Sequence, residues 1–153
     1  MLNDEAIEAF AQARDAENPS DPALLSEIFA ALTPASVEFM TGQWRGGILA
    51  SGHPMDETLG KSGWHGKSVI SAADVKPLIY RGADGELISY DQLGGASMWM
   101  IEYAGISTAS MVYDNQPIVD HFKRVDDATV MGIMNGKEAM RSGRLFYFYL
   151  VRE

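Results

Sequence analysis

The chain has 153 residues, the length of one domain that buries roughly two thirds of its extended surface. Its composition, 46% hydrophobic and 22% charged, is that of a soluble globular protein, and a net charge of −9 argues against nucleic acid or an anionic membrane surface as a partner. The absence of cysteine excludes disulfides, thiolate metal sites and cysteine nucleophiles, and fits a reducing cytoplasm.

The acidic opening Met1-Leu2-Asn3-Asp4-Glu5 lacks the apolar stretch of a signal peptide, and no apolar run reaches membrane-spanning length, so a cytoplasmic bacterial protein without membrane insertion is expected. Residues from Asn3 to about Glu17 read as a helix with Asn3 as its N-cap and a thin apolar stripe of Ile7, Phe10 and Ala11. Asn18-Pro19-Ser20 breaks it. Asp21 then caps a second helix with Pro22 at its first position and Leu24, Leu25, Ile28, Phe29 and Leu32 as a buried face. Thr33-Pro34 restarts a short helical turn carrying Val37, Phe39 and Met40. Residues 1–40 are therefore expected to be a helical segment packed on the domain formed by residues 41–153.

From Gly42 onward short β-like runs alternate with turn residues. The runs are Gln43–Ser51, His65–Ser71, Lys76–Arg81, Glu86–Tyr90, Ala96–Tyr103, Ile106–Tyr113, Ile118–Val125, Thr129–Met134 and Arg144–Arg152. Ala83-Asp84-Gly85, Ala104-Gly105 and Asn135-Gly136 supply the positive φ angles of tight hairpins, and Asp114-Asn115-Gln116-Pro117 makes a further turn. About eight or nine strands joined mostly by hairpins predict an antiparallel up-and-down barrel or a sandwich, and such a barrel has room for one small ligand. The irregular stretch Gly52–Gly63 would be a rim loop or lid. Trp44, on the first strand, and Arg152, on the last, are expected to stack and lock the bottom of the barrel.

Five ordered segments carry a resemblance. They are Gly42-Gln43-Trp44-Arg45-Gly46, Trp64-His65-Gly66-Lys67, Pro77-Leu78, Tyr113-Asp114 with Pro117 to Phe122, and Phe146-Tyr147-Phe148-Tyr149-Leu150. Together they resemble the GXWXG family, named for its Gly-x-Trp-x-Gly motif, whose C-terminal half is a domain of unknown function. The resemblance spans about Leu32 to Arg152 and implies a lipocalin-like or calycin-like barrel, without an activity to transfer. A looser likeness to nitrobindin barrels, which open on the same motif and bind haem, breaks down at Gly46-Gly47-Ile48-Leu49.

Strand alternation puts Trp64 on one face and His65 with Lys67 on the other, with solvated basic groups as the simpler outcome and an anion contact at the rim as the sharper one. On Ile118–Val125, Ile118, Asp120, Phe122 and Arg124 share one face, while Val119, His121, Lys123 and Val125 share the other. The larger apolar residues favour Asp120 inward, where it would pair with Arg124 beside Phe122. The opposite choice would make His121 a candidate base. His53, His65 and His121 have no metal-ligand spacing, and neither a metal nor a cofactor is expected.

Two functions compete, with haem binding a weaker third. One is a binding protein for a small hydrophobic or aromatic molecule with a polar end, lined by Trp64, Lys67, Trp99, Tyr113, Asp120, Phe122 and Arg124. The other is a cofactor-free isomerase, lyase or cyclase in the same cavity, with Asp120 or His121 transferring the proton. Composition leaves room for a homodimer.

Overall fold

A computed structural model describes residues 1–153. In chain order the elements are α1 (Asn3–Asp15), α2 (Pro22–Ala31), β1 (Thr33–Pro34), α3 (Val37–Met40), β2 (Gly42–Ile48), α4 (Pro54–Lys61), β3 (Trp64–Ser71), β4 (Asp74–Arg81), β5 (Leu87–Ser89), β6 (Ala96–Tyr103), β7 (Ile106–Tyr113), β8 (Val119–Arg124), β9 (Thr129–Asn135) and β10 (Phe146–Arg152), with a 3-10 turn at Ala139–Ser142. The protein is mainly antiparallel β with N-terminal helices, as the strand runs and turns predict. The ring runs β8-β7-β6-β4-β3-β2-β10-β9 and returns to β8 through the β8–β9 pairing. Its weakest seam lies between β4 and β6, which share the single pair Val75↔Ala96. Above that pair the same side of β4 is taken by β5. No helix is long and apolar enough to cross a membrane.

Two apolar clusters hold the molecule together. One fills the lower lumen and includes Met40, Trp44, Met111, Phe122, Phe148 and Leu150. The other lies outside the ring, where Phe10 of α1 and Leu25, Ile28 and Phe29 of α2 cover Met131, Ile133 and Tyr147. Both faces of β8 and β9 are therefore buried, one by the lumen and one by helices. The thin stripe of α1 suits this role: only Ala6 and Phe10 are fully buried on it.

The bottom of the barrel is closed by side chains. Arg152 lies opposite Trp44 in the β2–β10 register, its Cζ 4.2 Å from the indole centroid. Its guanidinium donates to the Thr41 and Phe39 carbonyls, and the Trp44 Nε1–H donates to Met40 O at 2.8 Å. The flanking glycines have distinct reasons. Gly42 has φ +137° and faces Arg152 Nη1, so a Cβ would lie 2.9 Å from it; a Cβ on Gly46 would lie 2.1 Å from the Trp64 ring.

Four local expectations differ from the structure. The N-cap of α1 is Leu2, because Asn3 instead spends its amide on Ala31 O and Thr33 Oγ1, tying α1 to the end of α2. Leu24 is exposed, since only the opposite side of α2 meets the barrel. Thr33-Pro34 is not helical but pairs with Arg124 and Lys123, and the short α3 starts from a Ser36 cap. The stretch Gly52–Gly63 contains a full helix, α4. Its N-terminus is held by His53 Nδ1, which accepts from Met55 N, and by Asp56 Oδ2, which accepts from the amides of Ser51, Gly52 and His53. Pro54 at its first position and the acidic residues in its first turn were its legible signals.

Candidate functional site

The upper half of the barrel is hollow. A cavity of about 450 Å³ opens at the end opposite Trp44 and Arg152. Met55 and Leu59 of α4 form one wall, Leu78 and Tyr80 of β4 another, and Ile118 and Met134 a third. Arg141 and Glu138, ion-paired at 3.0 Å, stand on its rim. Below lies a recess of about 40 Å³ bounded by Trp64, Lys67, Tyr113, Phe146 and Phe148.

Lys67 reaches this recess because β3 is irregular. Its partners on β4 run Trp64↔Tyr80, Gly66↔Ile79 and Ser68↔Lys76, with register shifts on both sides of Gly66. An extra residue in one strand of a pair breaks the strict in-out alternation. Trp64 and Lys67, which regular alternation assigns to opposite faces, therefore share the inner one, and the expectation of a solvated Lys67 is overturned: it is 3% exposed. Gly66 permits the irregularity, since a Cβ there would lie 1.8 Å from Trp44 O. The Trp64 ring packs edge-on against Phe148, with the Lys67 Nζ 5.8 Å from the indole centroid. His65 remains nearer the surface, hydrogen-bonded to Glu153.

The floor of the recess is a closed polar set. Lys67 Nζ donates to Tyr113 Oη at 2.9 Å and to Pro77 O at 3.2 Å, and forms an ion pair with Asp120 Oδ2 at 3.1 Å. Tyr113 Oη donates to the same Asp120 Oδ2 at 3.2 Å. The second carboxylate oxygen, Oδ1, is buried without a hydrogen-bond partner. Burial pushes the Asp120 carboxyl above its ordinary range, opposed by the Lys67 ammonium. Burial also pushes the Tyr113 phenol well up, and the Asp120 carboxylate adds to that shift, so Tyr113 is a proton donor at neutral pH.

The remaining candidates lie elsewhere. Arg124 is not the partner of Asp120: four residues along a strand separate them by about 13 Å. Its guanidinium instead stacks 4.2 Å over Phe39 and bonds Asp127 at the bottom of the barrel. Phe122 is packed edge-on against Phe148 in the solid lower core, below the cavity. Trp99 is 59% exposed, because Ala96 and Met98 take the inward positions of β6 and no helix covers its outer face. His121 points away from the lumen. Its Nδ1 meets Ser110 Oγ at 2.8 Å, its Nε2 meets Asn135 Nδ2 at 3.2 Å, and its ring stacks on Tyr103. Burial lowers its pKa to about 4. His53 Nε2 is bonded to Ser142 Oγ, so the three histidines occupy three separate places. No group of three metal-ligating side chains converges.

Sequence reasoning missed most of the apolar wall: Met55, Leu59, Leu78, Ile118, Met134 and Phe146. The Gly52–Gly63 lid was the one signal pointing at two of them.

Residues 27–85 match the family described as GXWXG protein, and residues 94–152 match a domain of unknown function (DUF4334). A crystal structure of a protein from Thermomonospora curvata is 38% identical, with a TM-score of 0.88 over 97% of this chain and 99% of that one. The chain belongs to the GXWXG family. No curated protein matches it. In this GXWXG chain neither matched segment makes the floor alone: Lys67 comes from the first, Tyr113 and Asp120 from the second. The motif closes the barrel where Trp44 meets Arg152, and it borders the site as well: Gly46 seats Trp64, and Arg45 and Trp44 pair with Gly66 and Lys67 of β3.

Proposed function

We propose that this barrel holds a small hydrophobic molecule with one polar end, the apolar part between α4, β4 and Met134 and the polar end on Lys67 and Tyr113. The observation that carries the proposal is the placement of an ammonium and a phenol, backed by a buried carboxylate, at the inner end of a cavity whose walls are otherwise largely apolar. Apolar walls supply affinity in such sites, and a few convergent polar groups fix orientation. An ion pair so deep brings little net stability, which makes a purely structural purpose for it weak.

Native mass spectrometry of protein purified from its own host tests the proposal, together with displacement of the neutral dye Nile red by hydrophobic compounds. A co-purified small molecule or saturable displacement is expected. Absence of both refutes it. A second proposal, acid–base catalysis on the same guest, is favoured by the Tyr113 phenol at the recess, whose proton is held by the buried Asp120 Oδ2 behind it. His121 takes no part in it, since it lies outside the cavity. Turnover of the identified guest, lost in Asp120→Asn while binding persists, separates catalyst from carrier.

A further inference from the structure

Whether the polar end of the guest is an acid, an amine or a neutral group follows from the charge and proton count of the floor. The inference rests on the binding function proposed above. Lys67 is the one cation bounding the inner recess, and its charge is already matched by Asp120 at 3.1 Å. An anionic head group arriving there would share one ammonium with a buried carboxylate, leaving one negative charge uncompensated in an apolar surrounding. A cationic head group would face Lys67 with the only nearby carboxylate already engaged. Either is disfavoured.

The hydrogen-bonding sense is equally one-sided. The polar side-chain atoms of the residues that bound the recess are Lys67 Nζ, Tyr113 Oη and Trp64 Nε1; all carry protons, and that of Trp64 is already given to Gly66 O. Asp120 lies behind them and does not bound either cavity. Tyr113 Oη–H can turn from Asp120 Oδ2 to an incoming acceptor, and Lys67 Nζ can exchange Pro77 O for it, with the ion pair left in place. The recess, about 40 Å³, accepts one oxygen with its carbon and excludes a hydrated head group.

We infer that the guest is a hydrophobic carbonyl compound, a ketone, aldehyde or ester, whose oxygen accepts hydrogen bonds from Tyr113 Oη and Lys67 Nζ. The competing anchor is Arg141 on the rim, which would hold a carboxylate with its tail pointing inward, although Glu138 already pairs with it.

The test is Nile red displacement at pH 7 by decan-2-one, decanoate, decylamine and decane, four probes with similar chains. Decan-2-one is expected to displace the dye at a concentration at least tenfold lower than each of the others. In Tyr113→Phe, which keeps the Lys67–Asp120 contact, the advantage of the ketone over decane is expected to shrink about tenfold while decane itself is unchanged. Decanoate or decylamine matching the ketone overturns the carbonyl assignment and leaves the cavity proposal standing. So does a Tyr113→Phe variant that loses ketone and decane alike. Loss of decanoate binding in Arg141→Ala would then place the polar end at the rim. If none of the four displaces the dye, the cavity proposal fails and this inference with it. Should Tyr113→Phe not fold, the ranking on the unmodified protein decides.

Discussion

Replacing Lys67 by Met is the most informative single change. The side chain fits the apolar walls of the recess, so the loss is electrostatic rather than steric. Lys67 is 3% exposed and Asp120 0%, and breaking a buried ion pair from one side destabilises by about 3–5 kcal/mol, because the remaining charge is left uncompensated. For a protein of this size about 1 kcal/mol shifts Tm by roughly 2–4 °C, so Tm should fall by about 6–20 °C. The loss has a pH signature. Burial already raises the Asp120 carboxyl and Lys67 opposes that rise; without Lys67 the folded pKa climbs further above the unfolded value. A group whose folded pKa is raised binds more protons in the folded state, so its contribution falls as pH rises through that window. The variant should therefore recover up to about 2.7 kcal/mol on going from pH 7 to pH 5, at 1.36 kcal/mol per unit. Adding Asp120→Asn removes the stranded charge and should restore most of the loss at pH 7. Urea denaturation followed by circular dichroism at the two pH values reads all three quantities. A loss below about 1 kcal/mol at pH 7, equal losses at both pH values, or no recovery in the double variant would refute the assigned pairing.

Other perturbations probe the frame around the site. Gly46→Ala places a methyl 2.1 Å from the Trp64 ring and should cost about 1–3 kcal/mol by overpacking, with a shift in tryptophan fluorescence. His121 is buried with its pKa lowered to about 4, so the unfolded chain binds the extra proton first; stability should fall by about 2–3 kcal/mol as pH drops from about 6.5 to 4, and His121→Gln should flatten that limb of the pH–stability curve. Arg152→Leu removes the stack on Trp44 and strands the Thr41 and Phe39 carbonyls; a loss of about 2–4 kcal/mol in urea is expected, and Arg152→Lys should not restore it, since an ammonium lacks the planar fork. Trp99→Ser should leave both stability, within about 0.5 kcal/mol, and dye displacement unchanged, because the side chain is exposed and outside the cavity; a change in displacement would contradict its placement.

The sequence by itself determined the architecture. Ala104-Gly105 and Asn135-Gly136 mark hairpins by backbone chemistry alone, and β6 and β7 have the bounds that the apolar runs around them predict. Asp21-Pro22 marks the start of α2 for the same local reason. The composition of the site was harder to read. On β8 both faces are apolar enough to be buried; the larger apolar residues Ile118 and Phe122 favour Asp120 inward, as found, while the burial of the opposite face with His121 depends on α1 and α2 packing outside. On β3 the irregularity at Gly66 reverses the face of Lys67; the glycine within Trp64-His65-Gly66-Lys67 is its one local sign, and the shift itself exists only relative to β4. The ion pair joins residues 53 positions apart (120 − 67) across the closed lumen. Turn preference and period-two burial are local and survive in the text of the chain. Which charge meets which depends on ring closure and register, which no segment carries alone.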